Sequence, residues 1–284
     1  MKLTIGEHAG FCFGVRRAVL KAFECAQAQM PCVTLGPLIH NPQEVMRLER
    51  AGIRSVSDLA QVQPGQTVII RSHGVTPQVY AQCEARAIPY VDATCPHVAR
   101  IHQLVSSYSE DGSAVIIVGE ADHPEVVGIA GWAHAQVLIL PTRQAAMAAV
   151  LPQKALVVAQ TTIRRDRFED VLSVLRACIP QLTERMTICA ATSQRQQEAE
   201  RLSAEADAMI VVGGKNSSNT RKLLDTCRMR CARAILVETP EDIPHGFAAP
   251  EDRVAITAGA STPQWLLEKV SERVRQDMES ESTT

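Results

Sequence analysis

Apolar residues along the chain recur with a helical period in some stretches and form short continuous runs in others. Helical spacing among charged residues predicts helices over 15–29, 98–110 and 194–207. Short β-branched runs that end in glycine predict a strand after each of these helices: CVTLG, AVIIVG and AMIVVG. Helices and buried strands therefore alternate, as is typical of α/β proteins.

Further apolar runs predict the remaining strands. They are TVIIRSHG, IPYVDATC, QVLIL, ALVVAQTT, MTICA, AILVE and VAITAGAS. Nearly continuous apolar strands between helices indicate parallel sheets that are covered on both faces. Ligands of such sheets bind beyond the carboxyl ends of the strands. Polar residues fall there: His40, His73, Cys95, His123, Thr161, Cys189, Ser217, Asn219 and Ser261.

Three cysteines, Cys12, Cys95 and Cys189, stand in the same register relative to these predicted elements. A glycine lies 24 positions after each of them, at Gly36, Gly119 and Gly213. A polar residue lies 28 positions after each of them, at His40, His123 and Ser217. Fixed self-similarity indicates repeated structural units. We therefore predict three α/β units with boundaries near the cysteines, over 1–95, 96–189 and 190–284.

Composition excludes several classes of protein. The net charge of −2 and the absence of a long basic run argue against nucleic-acid binding. The longest apolar runs, such as 114–118 and 209–212, are much shorter than the roughly 20 residues of a membrane-spanning helix. The N-terminus lacks the apolar core of a signal peptide, so we expect a cytoplasmic protein. Its nine cysteines then serve metals or catalysis more readily than disulfides.

Three thiolates in equivalent positions suggest a metal centre. Thiolates are soft ligands that suit zinc, copper(I) and iron–sulfur clusters. Three of them can hold three irons of a 4Fe-4S cluster and leave the fourth iron open to substrate, whereas the usual all-cysteine site has four thiolates. Four other cysteines have no counterpart in the other units and are interpreted as small buried core residues: Cys25, Cys32, Cys83 and Cys178. Cys227 and Cys231 are four residues apart and could share one helical face, but they too are interpreted as structural.

Polar groups at the strand ends suggest an anionic ligand. The segment 213–219 offers glycines, hydroxyls and amides that can surround phosphate oxygens, although it does not match a P-loop. Glu125 follows His123 closely, and a carboxyl group enclosed beside an anionic ligand is a candidate proton donor. The alternative for Glu125 is an exposed acid at a helix N-terminus. Thr161 can bind a substrate hydroxyl or merely cap a helix.

These motifs together resemble the 4-hydroxy-3-methylbut-2-enyl diphosphate reductase family, also called LytB. The resemblance runs from Gly10-Phe-Cys-Phe-Gly-Val to Thr257-Ala-Gly-Ala-Ser261 and covers nearly the whole chain. Between them lie His40-Asn41, Ser72-His73-Gly74-Val75, Asp92-Ala-Thr-Cys-Pro96, His123-Pro-Glu125, Gln160-Thr-Thr162, Cys189-Ala-Ala-Thr and Lys215-Asn-Ser-Ser-Asn219.

The resemblance implies a trefoil of three pseudo-threefold-related α/β units around a central 4Fe-4S cluster. It implies that Cys12, Cys95 and Cys189 hold this cluster, that Glu125 donates the proton and that Thr161 positions the substrate hydroxyl. It further implies a set of residues that bind the diphosphate or lie beside it: His40, His73, His123, Ser217, Ser218, Asn219 and Ser261. The implied reaction removes the allylic hydroxyl with two electrons and gives isopentenyl and dimethylallyl diphosphates, the last step of the non-mevalonate isoprenoid route. A ferredoxin- or flavodoxin-like protein is the implied electron donor.

Two local features depart from the family pattern. Arg164-Arg165 follow Gln-Thr-Thr where relatives often carry less basic residues, and Ala190 stands where tyrosine is more usual. Neither is a proposed ligand, so they bear on donor docking and on the pocket edge. Other readings of the cysteines remain: a lyase or hydratase whose open iron polarises substrate without redox change, a cluster-based redox sensor, or a structural Cys3His zinc protein.

Overall fold

The computed structural model describes residues 2–249 and 251–281, in which parallel strands alternate with helices. The strands are β1 (Lys2–Ile5), β2 (Cys32–Leu35), β3 (Arg54–Val56), β4 (Thr67–Ile70), β5 (Tyr90–Asp92), β6 (Ala114–Val118), β7 (Val137–Ile139), β8 (Lys154–Ala159), β9 (Gln181–Glu184), β10 (Ala208–Val212), β11 (Ala234–Val237) and β12 (Arg253–Ala258). The helices are α1 (Phe13–Gln27), α2 (Pro42–Arg50), α3 (Pro77–Ala85), α4 (Pro96–Ser109), α5 (Pro124–Gly131), α6 (Arg143–Ala148), α7 (Arg165–Cys178), α8 (Ala190–Glu205), α9 (Ser218–Arg228) and α10 (Gln264–Glu281).

The strands form three four-stranded sheets with one shared topology. Their strand orders are β3-β2-β4-β5, β7-β6-β8-β9 and β11-β10-β12-β1, and all described pairings are parallel. In the last sheet the N-terminal strand β1 takes the place that β5 and β9 take in the others. The predicted α/β class with repeated parallel sheets is confirmed.

Residue contacts divide the chain into two compact units. The terminal unit consists of Met1–Arg16, Ile39–Arg47 and Ala190–Thr284, and the internal unit of Arg17–Leu38 and Leu48–Cys189. The terminal unit contains the sheet of β1, β10, β11 and β12, and the internal unit contains the other two sheets. The predicted boundaries near 95 and 190 stay a prediction; β1, from the first predicted range, pairs with β12 in the last.

Apolar residues cover both faces of the sheets, as their continuous runs predict. In β6 every residue is buried, and alternate residues contribute to different clusters. Ile116 and Val118 pack with Phe168 on one face, whereas Val115 and Ile117 pack with other apolar residues on the opposite face. Burial on two faces explains why such strands lack the alternating polar positions of a half-exposed strand. No helix among the described residues is long and apolar enough to cross a membrane.

The predicted strand MTICA at 186–190 is wrong. Strand β9 lies earlier, at Gln181–Glu184, and the chain is irregular from 185 to 189. A side chain replaces the sheet ladder there, because the Thr187 hydroxyl donates to the Ala159 carbonyl at 2.6 Å and accepts from the Ala159 N–H at 2.8 Å. This segment ends at Cys189, whose N–H donates to Thr161 O just beyond the end of β8.

The structure confirms most of the interpretation of the remaining cysteines. Cys25, Cys32, Cys83, Cys227 and Cys231 are buried. Cys178, at the end of α7, is exposed, so its assignment to the core is wrong. The α7 period places its apolar residues Leu172 and Leu175 inside, and at the end of the helix the neighbouring Ile179, rather than Cys178, is buried in that core.

Candidate active site

Each of the three cysteines in register is fixed by the same backbone hydrogen bond. Cys95 N donates to Ser72 O at 2.9 Å, Cys189 N to Thr161 O at 3.0 Å and Cys12 N to Ala260 O at 3.1 Å. Each acceptor lies two residues beyond the end of a strand, namely β4, β8 and β12. Each cysteine directly precedes a helix, and all three thiols are half-buried and free of disulfides.

The acceptor carbonyls belong to three equivalent turns. Backbone hydrogen bonds close these turns from Gly74 N to Arg71 O, from Ile163 N to Gln160 O and from Thr262 N to Gly259 O, at 3.0–3.1 Å. The turns make Thr162 the counterpart of His73 and Ser261. This second register is not visible in the spacing of the sequence, and sequence reasoning therefore assigned no role to Gln160 and Thr162, which it quoted only as part of a motif.

The turns also explain the glycines that follow each cysteine by 24 positions. A Cβ atom on Gly36 would lie 2.8 Å from Arg71 Nη1, one on Gly119 2.9 Å from Gln160 Cβ, and one on Gly213 2.8 Å from Thr262 Oγ1. In every case an atom of the adjacent strand-end turn lies within 3 Å of this position, and at Gly119 Val126 Cγ2 of α5 is equally close, at 2.8 Å. These glycines are therefore required by the close approach of two loops at the carboxyl edge of each sheet.

In the terminal unit, His40 packs against the loop of 213–219. A Cβ atom on Gly214 would lie 2.6 Å from the carbonyl oxygen of His40, so the two segments are in direct contact. Ser217 caps α9, since its hydroxyl accepts from Thr220 N at 3.3 Å. Both Ser217 and Ser218 are buried, at 3% and 4% exposure. Helix α9 begins directly after Ser217, so the positive end of its dipole lies at this loop.

The turn that carries Ser261 adjoins the same loop. Thr262 Oγ1 donates to Val212 O at 2.8 Å, and a Cβ atom on Gly259 would lie 2.2 Å from Thr220 Oγ1. Because Cys12 N donates to the neighbouring Ala260, this unit brings one predicted cluster ligand together with the predicted diphosphate ligands of this part of the chain. These are His40, Ser217, Ser218, Asn219 and Ser261.

Buried amides in this unit have unused hydrogen-bond donors. Asn41 is 1% exposed, and its Nδ2 has no hydrogen-bond partner among the described residues; Asn219 Nδ2 has none either. An unpaired buried donor is costly. An anion bound beside these amides would satisfy them.

A buried carboxyl group and a threonine form the core of the internal unit's site. Glu125 is 3% exposed and Thr161 is 6% exposed. One Glu125 oxygen accepts from Thr161 N at 2.6 Å, and the other accepts from Thr161 Oγ1 at 2.7 Å. Glu125 N in turn donates to His123 Nδ1 at 3.2 Å, at the start of α5. The exposed-acid alternative for Glu125 is thereby excluded.

A continuous chain of contacts links the predicted residues of this unit. The rings of His73 and His123 meet edge to face, with centroids 5.5 Å apart. His123 contacts Glu125, Glu125 contacts Thr161, and Thr161 O accepts from Cys189 N. At the other end, Ser72 next to His73 accepts from Cys95 N. Two of the predicted cluster ligands are therefore fixed to the residues that carry the polar chemistry.

His102, which the sequence analysis did not single out, lies beneath this chain of contacts. It is 3% exposed, and its ring stacks on Trp132 with centroids 5.3 Å apart. Burial lowers the pKa of His102 to about 4, against a smaller opposing effect of Asp92. A lone histidine in an amphipathic helix gives no signal by which the sequence could distinguish it from a surface residue.

Two buried residues on α8 hold the loop before Cys12, and they also escaped the sequence analysis. Glu198 accepts from the main-chain N–H groups of Glu7 and His8 at 2.8 and 3.0 Å. Arg195 Nη2 donates to Gly10 O at 2.8 Å. Arg195 and Glu198 lie three positions apart, so they share one face of the helix.

The donor set fits a thiophilic metal group. Each of Cys12, Cys95 and Cys189 is half-buried, is not in a disulfide and lies at the N-terminal end of a helix, where negative charge is favoured. Soft thiolates in that setting suit iron–sulfur clusters and zinc alike.

Known proteins resemble the chain over nearly its full length. Residues 3–275 match the family described as LytB protein. The chain is 42% identical over 279 residues to a 4-hydroxy-3-methylbut-2-enyl diphosphate reductase of Geobacter sulfurreducens, with 97% of this chain and 98% of that one covered. It is 38% identical over 283 residues to the reductase of the same name from Aquifex aeolicus, with 98% of each chain covered.

Solved structures agree with these relatives. A structure described as (E)-4-hydroxy-3-methyl-but-2-enyl diphosphate reductase, the terminal enzyme of the non-mevalonate pathway, matches with a TM-score of 0.73 and 38% identity, covering 97% of this chain and 100% of that one. The E-1-hydroxy-2-methyl-but-2-enyl-4-diphosphate reductase of Plasmodium falciparum matches with a TM-score of 0.89 and 28% identity, covering 97% of this chain and 87% of that one. With the matched profile, the full-length relatives and the shared fold in agreement, this chain belongs to the LytB protein family.

Proposed function

We propose that this chain is a 4-hydroxy-3-methylbut-2-enyl diphosphate reductase. The reaction takes two electrons and two protons and breaks the allylic C–O bond; the hydroxyl leaves as water and the carbon skeleton becomes isopentenyl or dimethylallyl diphosphate. The observation that carries the proposal is the buried pair of Glu125 and Thr161, whose carbonyl also holds Cys189. Such a pair places a proton source beside a predicted metal ligand.

The family is iron–sulfur dependent, and the cluster in this chain is proposed to be 4Fe-4S with three cysteine ligands and one open iron. The proposed ligands are Cys12, Cys95 and Cys189. When bound, such a cluster supplies electrons and Lewis acidity at the iron that lacks a cysteine. The support for these ligands is that all three cysteines are half-buried, are not in disulfides and make the same backbone hydrogen bond just before a helix.

The diphosphate is proposed to bind hydroxyl, amide and imidazole donors at the strand ends. In the terminal unit these are His40, Ser217, Ser218, Asn219 and Ser261; in the internal unit they are His73 and His123. Support comes from the buried serines at the start of α9 and from the unused donor of Asn219. A dianionic group requires several donors when it leaves water, and this set provides them.

Proton delivery is proposed to run from Glu125 through Thr161. The Thr161 hydroxyl donates to Glu125 Oε2 at 2.7 Å, so the two groups already share a proton path. A protonated Glu125 can pass its proton to Thr161 Oγ1 while Thr161 donates its own to the departing hydroxyl. The main-chain N–H of Thr161 holds the other carboxyl oxygen at 2.6 Å, which fixes the carboxyl group during the transfer.

The electrons are proposed to come from a ferredoxin- or flavodoxin-like protein in the cytoplasm. The reaction itself requires a reductant, and a small redox protein is the donor class expected for a cluster enzyme of this kind. None of the nine cysteines is in a disulfide, which agrees with a reducing compartment.

An anaerobic assay with a reduced donor and the allylic diphosphate tests the proposal. We expect isoprenoid diphosphate products from the wild-type protein and turnover lowered at least about a hundredfold in Glu125→Gln, with iron and sulfide content unchanged. Asp122→Asn is the matched control, because Asp122 is an exposed carboxylate in the loop just before α5, three positions before Glu125; it should retain activity.

Three results would reject the assignment in favour of another class. Turnover without reductant would indicate a lyase or hydratase. Stoichiometric zinc in place of iron and sulfide would indicate a structural zinc protein, and an iron–sulfur protein that leaves the allylic diphosphate unchanged would fit a redox sensor.

A further inference from the structure

A buried carboxylate in the first turn of α2 has no part in the reaction proposed above. The Glu44 side chain is 0% exposed. One of its oxygens accepts from Trp265 Nε1 at 2.9 Å, and the other lies 3.2 Å from Arg47 Nη1. Glutamate is almost never fully buried unless it is paired. An acid that served only the helix dipole would lie at the surface, so the burial of Glu44 requires another explanation.

The two partners of this hydrogen bond stand in matching positions. Glu44 follows His40 by four residues, and Trp265 follows Ser261 by four residues. His40 and Ser261 are both proposed diphosphate ligands. The bond between Glu44 and Trp265 therefore joins the two segments that carry them, across 221 positions of sequence.

Local hydrogen bonds make each of these connections stiff. Asn41 Oδ1 accepts from Glu44 N at 3.0 Å, and Asn41 O accepts from Val45 N at 3.0 Å, so the residue after His40 is locked to the first turn of α2. On the other side, the turn of Ser261 is closed by Thr262 N, and Leu266 N donates to Pro263 O at 3.1 Å as α10 begins. A displacement of either helix would be transmitted to its ligand residue.

The segment that carries His40 needs such an anchor because of how the chain runs. Residues 39–47 belong to the terminal unit, but the chain on both sides of them, from 17 to 38 and from 48 to 189, belongs to the internal unit. Chain connectivity therefore does not hold this segment in the terminal unit; side-chain and packing contacts must. Gly214 lies directly against the His40 carbonyl and limits how closely the segment can approach the loop of 213–219. The hydrogen bond from Trp265 to Glu44 attaches α2, which follows His40, to α10.

We propose that Glu44 and Trp265 are a positioning pair that sets the spacing between His40 and Ser261 for diphosphate binding. The inference rests on the proposed function. Neither residue is a ligand; each acts through the segment it anchors. The expected signature is weaker binding of the diphosphate group with little change in the chemical step.

The central variant is Trp265→Phe, which keeps an aromatic ring and removes the N–H donor. A hydrogen bond to a charged group is among the stronger ones, so we expect KM for the allylic diphosphate and Kd for inorganic pyrophosphate to rise roughly threefold to tenfold. The value of kcat should change by less than about twofold. Both constants are measured on the cluster-loaded protein, the Kd by titration calorimetry without turnover.

Two variants of Glu44 test the acceptor of the same hydrogen bond. Glu44→Gln keeps an oxygen acceptor for the indole N–H and should hold Kd within about twofold of wild type. Glu44→Leu removes the acceptor and should match Trp265→Phe. In the double variant Glu44→Leu/Trp265→Phe, the increases in Kd should be far from additive, because both changes remove the same bond.

Ser271→Ala is the matched control for general weakening of α10. Its hydroxyl is buried and donates to Leu267 O at 2.7 Å within the same helix, away from α2. We expect a lower Tm with an unchanged Kd for pyrophosphate. If Trp265→Phe does not fold, Glu44→Leu against Glu44→Gln gives the same comparison.

The proposal falls if Trp265→Phe or Glu44→Leu binds pyrophosphate as wild type does, or if Ser271→Ala weakens binding equally. The proposed function fails differently: wild-type protein would then neither bind pyrophosphate nor turn over the allylic diphosphate with reductant.

Discussion

His102 should make the stability of the internal unit depend on pH in a window well below neutrality. The imidazole is 3% exposed, stacks on Trp132, and its Nε2 has no hydrogen-bond partner among the described residues. Backbone closes over it from two sides, since a Cβ atom on Gly74 would lie 2.5 Å from His102 Cε1 and one on Gly128 3.5 Å from Nε2. A proton added there would create a buried cation without a counter-charge at its Nε2.

The magnitude follows from the pKa. Burial lowers the pKa of His102 from 6.5 to about 4 in the folded protein. A shift of this size is worth about 3 kcal/mol, at about 1.4 kcal/mol per unit. Because the unfolded chain binds the proton more tightly, this stability is fully present above about pH 6.5 and is lost as the pH falls toward 4. About 2 kcal/mol of it should be gone by about pH 5.

Urea denaturation of the cluster-free protein at a series of pH values measures the effect. In His102→Leu, which is close in volume and does not titrate, the free energy of unfolding should lose the part of its pH dependence that lies between about 6.5 and 4. His97→Gln is the control, because His97 is an exposed histidine on the same helix. Identical pH profiles for wild type and His102→Leu, or a flattened profile for His97→Gln, would refute the argument.

Three other substitutions test separate parts of the structure. Gly74→Ala places a Cβ at a φ of +71° and 2.5 Å from the buried imidazole of His102, so it should lower the free energy of unfolding by about 2 to 4 kcal/mol in urea denaturation. A loss below about 1 kcal/mol would contradict the close packing of Gly74 on His102. Cys178→Ser should leave iron and sulfide content unchanged in anaerobic preparations, whereas Cys189→Ser should lower both; equal content in the two variants would remove Cys189 from the ligand set. Thr161→Val keeps the side-chain shape and the main-chain donor but removes the hydroxyl, so kcat should fall by roughly a hundredfold or more in steady-state assays, and wild-type kcat would end its role in proton delivery.

The apolar pattern predicted most of the fold because the sheets are buried on both faces. Strands such as β6 and β10 contain only buried residues, so they stand out as continuous β-branched runs. Helix starts were less visible: α1 begins at Phe13 and α4 at Pro96, about two residues before the predicted starts. The first turn of a helix makes few core contacts, and its sequence therefore carries little of the helical period.

Long-range pairing is the part that the sequence could not supply. β1 is only four residues long, and its partner β12 lies some 250 positions away. The hydrogen bond between Glu44 and Trp265 likewise joins residues 221 positions apart. A short apolar stretch or a single acid has no local property that identifies such a partner, because the pairing is decided by topology and packing. Segment 186–190 is the opposite case. Its sequence looks like a strand, but it forms no sheet ladder, because the Thr187 hydroxyl makes the hydrogen bonds to Ala159 instead.

The strand-end turns show where the repeat stops being symmetric. Three main-chain carbonyls have the same role, because each accepts a hydrogen bond from a cysteine N–H: those of Ser72, Thr161 and Ala260. Their side chains differ, and only Thr161 places a hydroxyl on a buried carboxylate; Ala260 has no group that could. If the backbone bond alone mattered, any residue would serve at these three positions. The proposed proton chemistry would therefore be confined to the second repeat by two side chains, Thr161 and Glu125, on a backbone frame that all three repeats share.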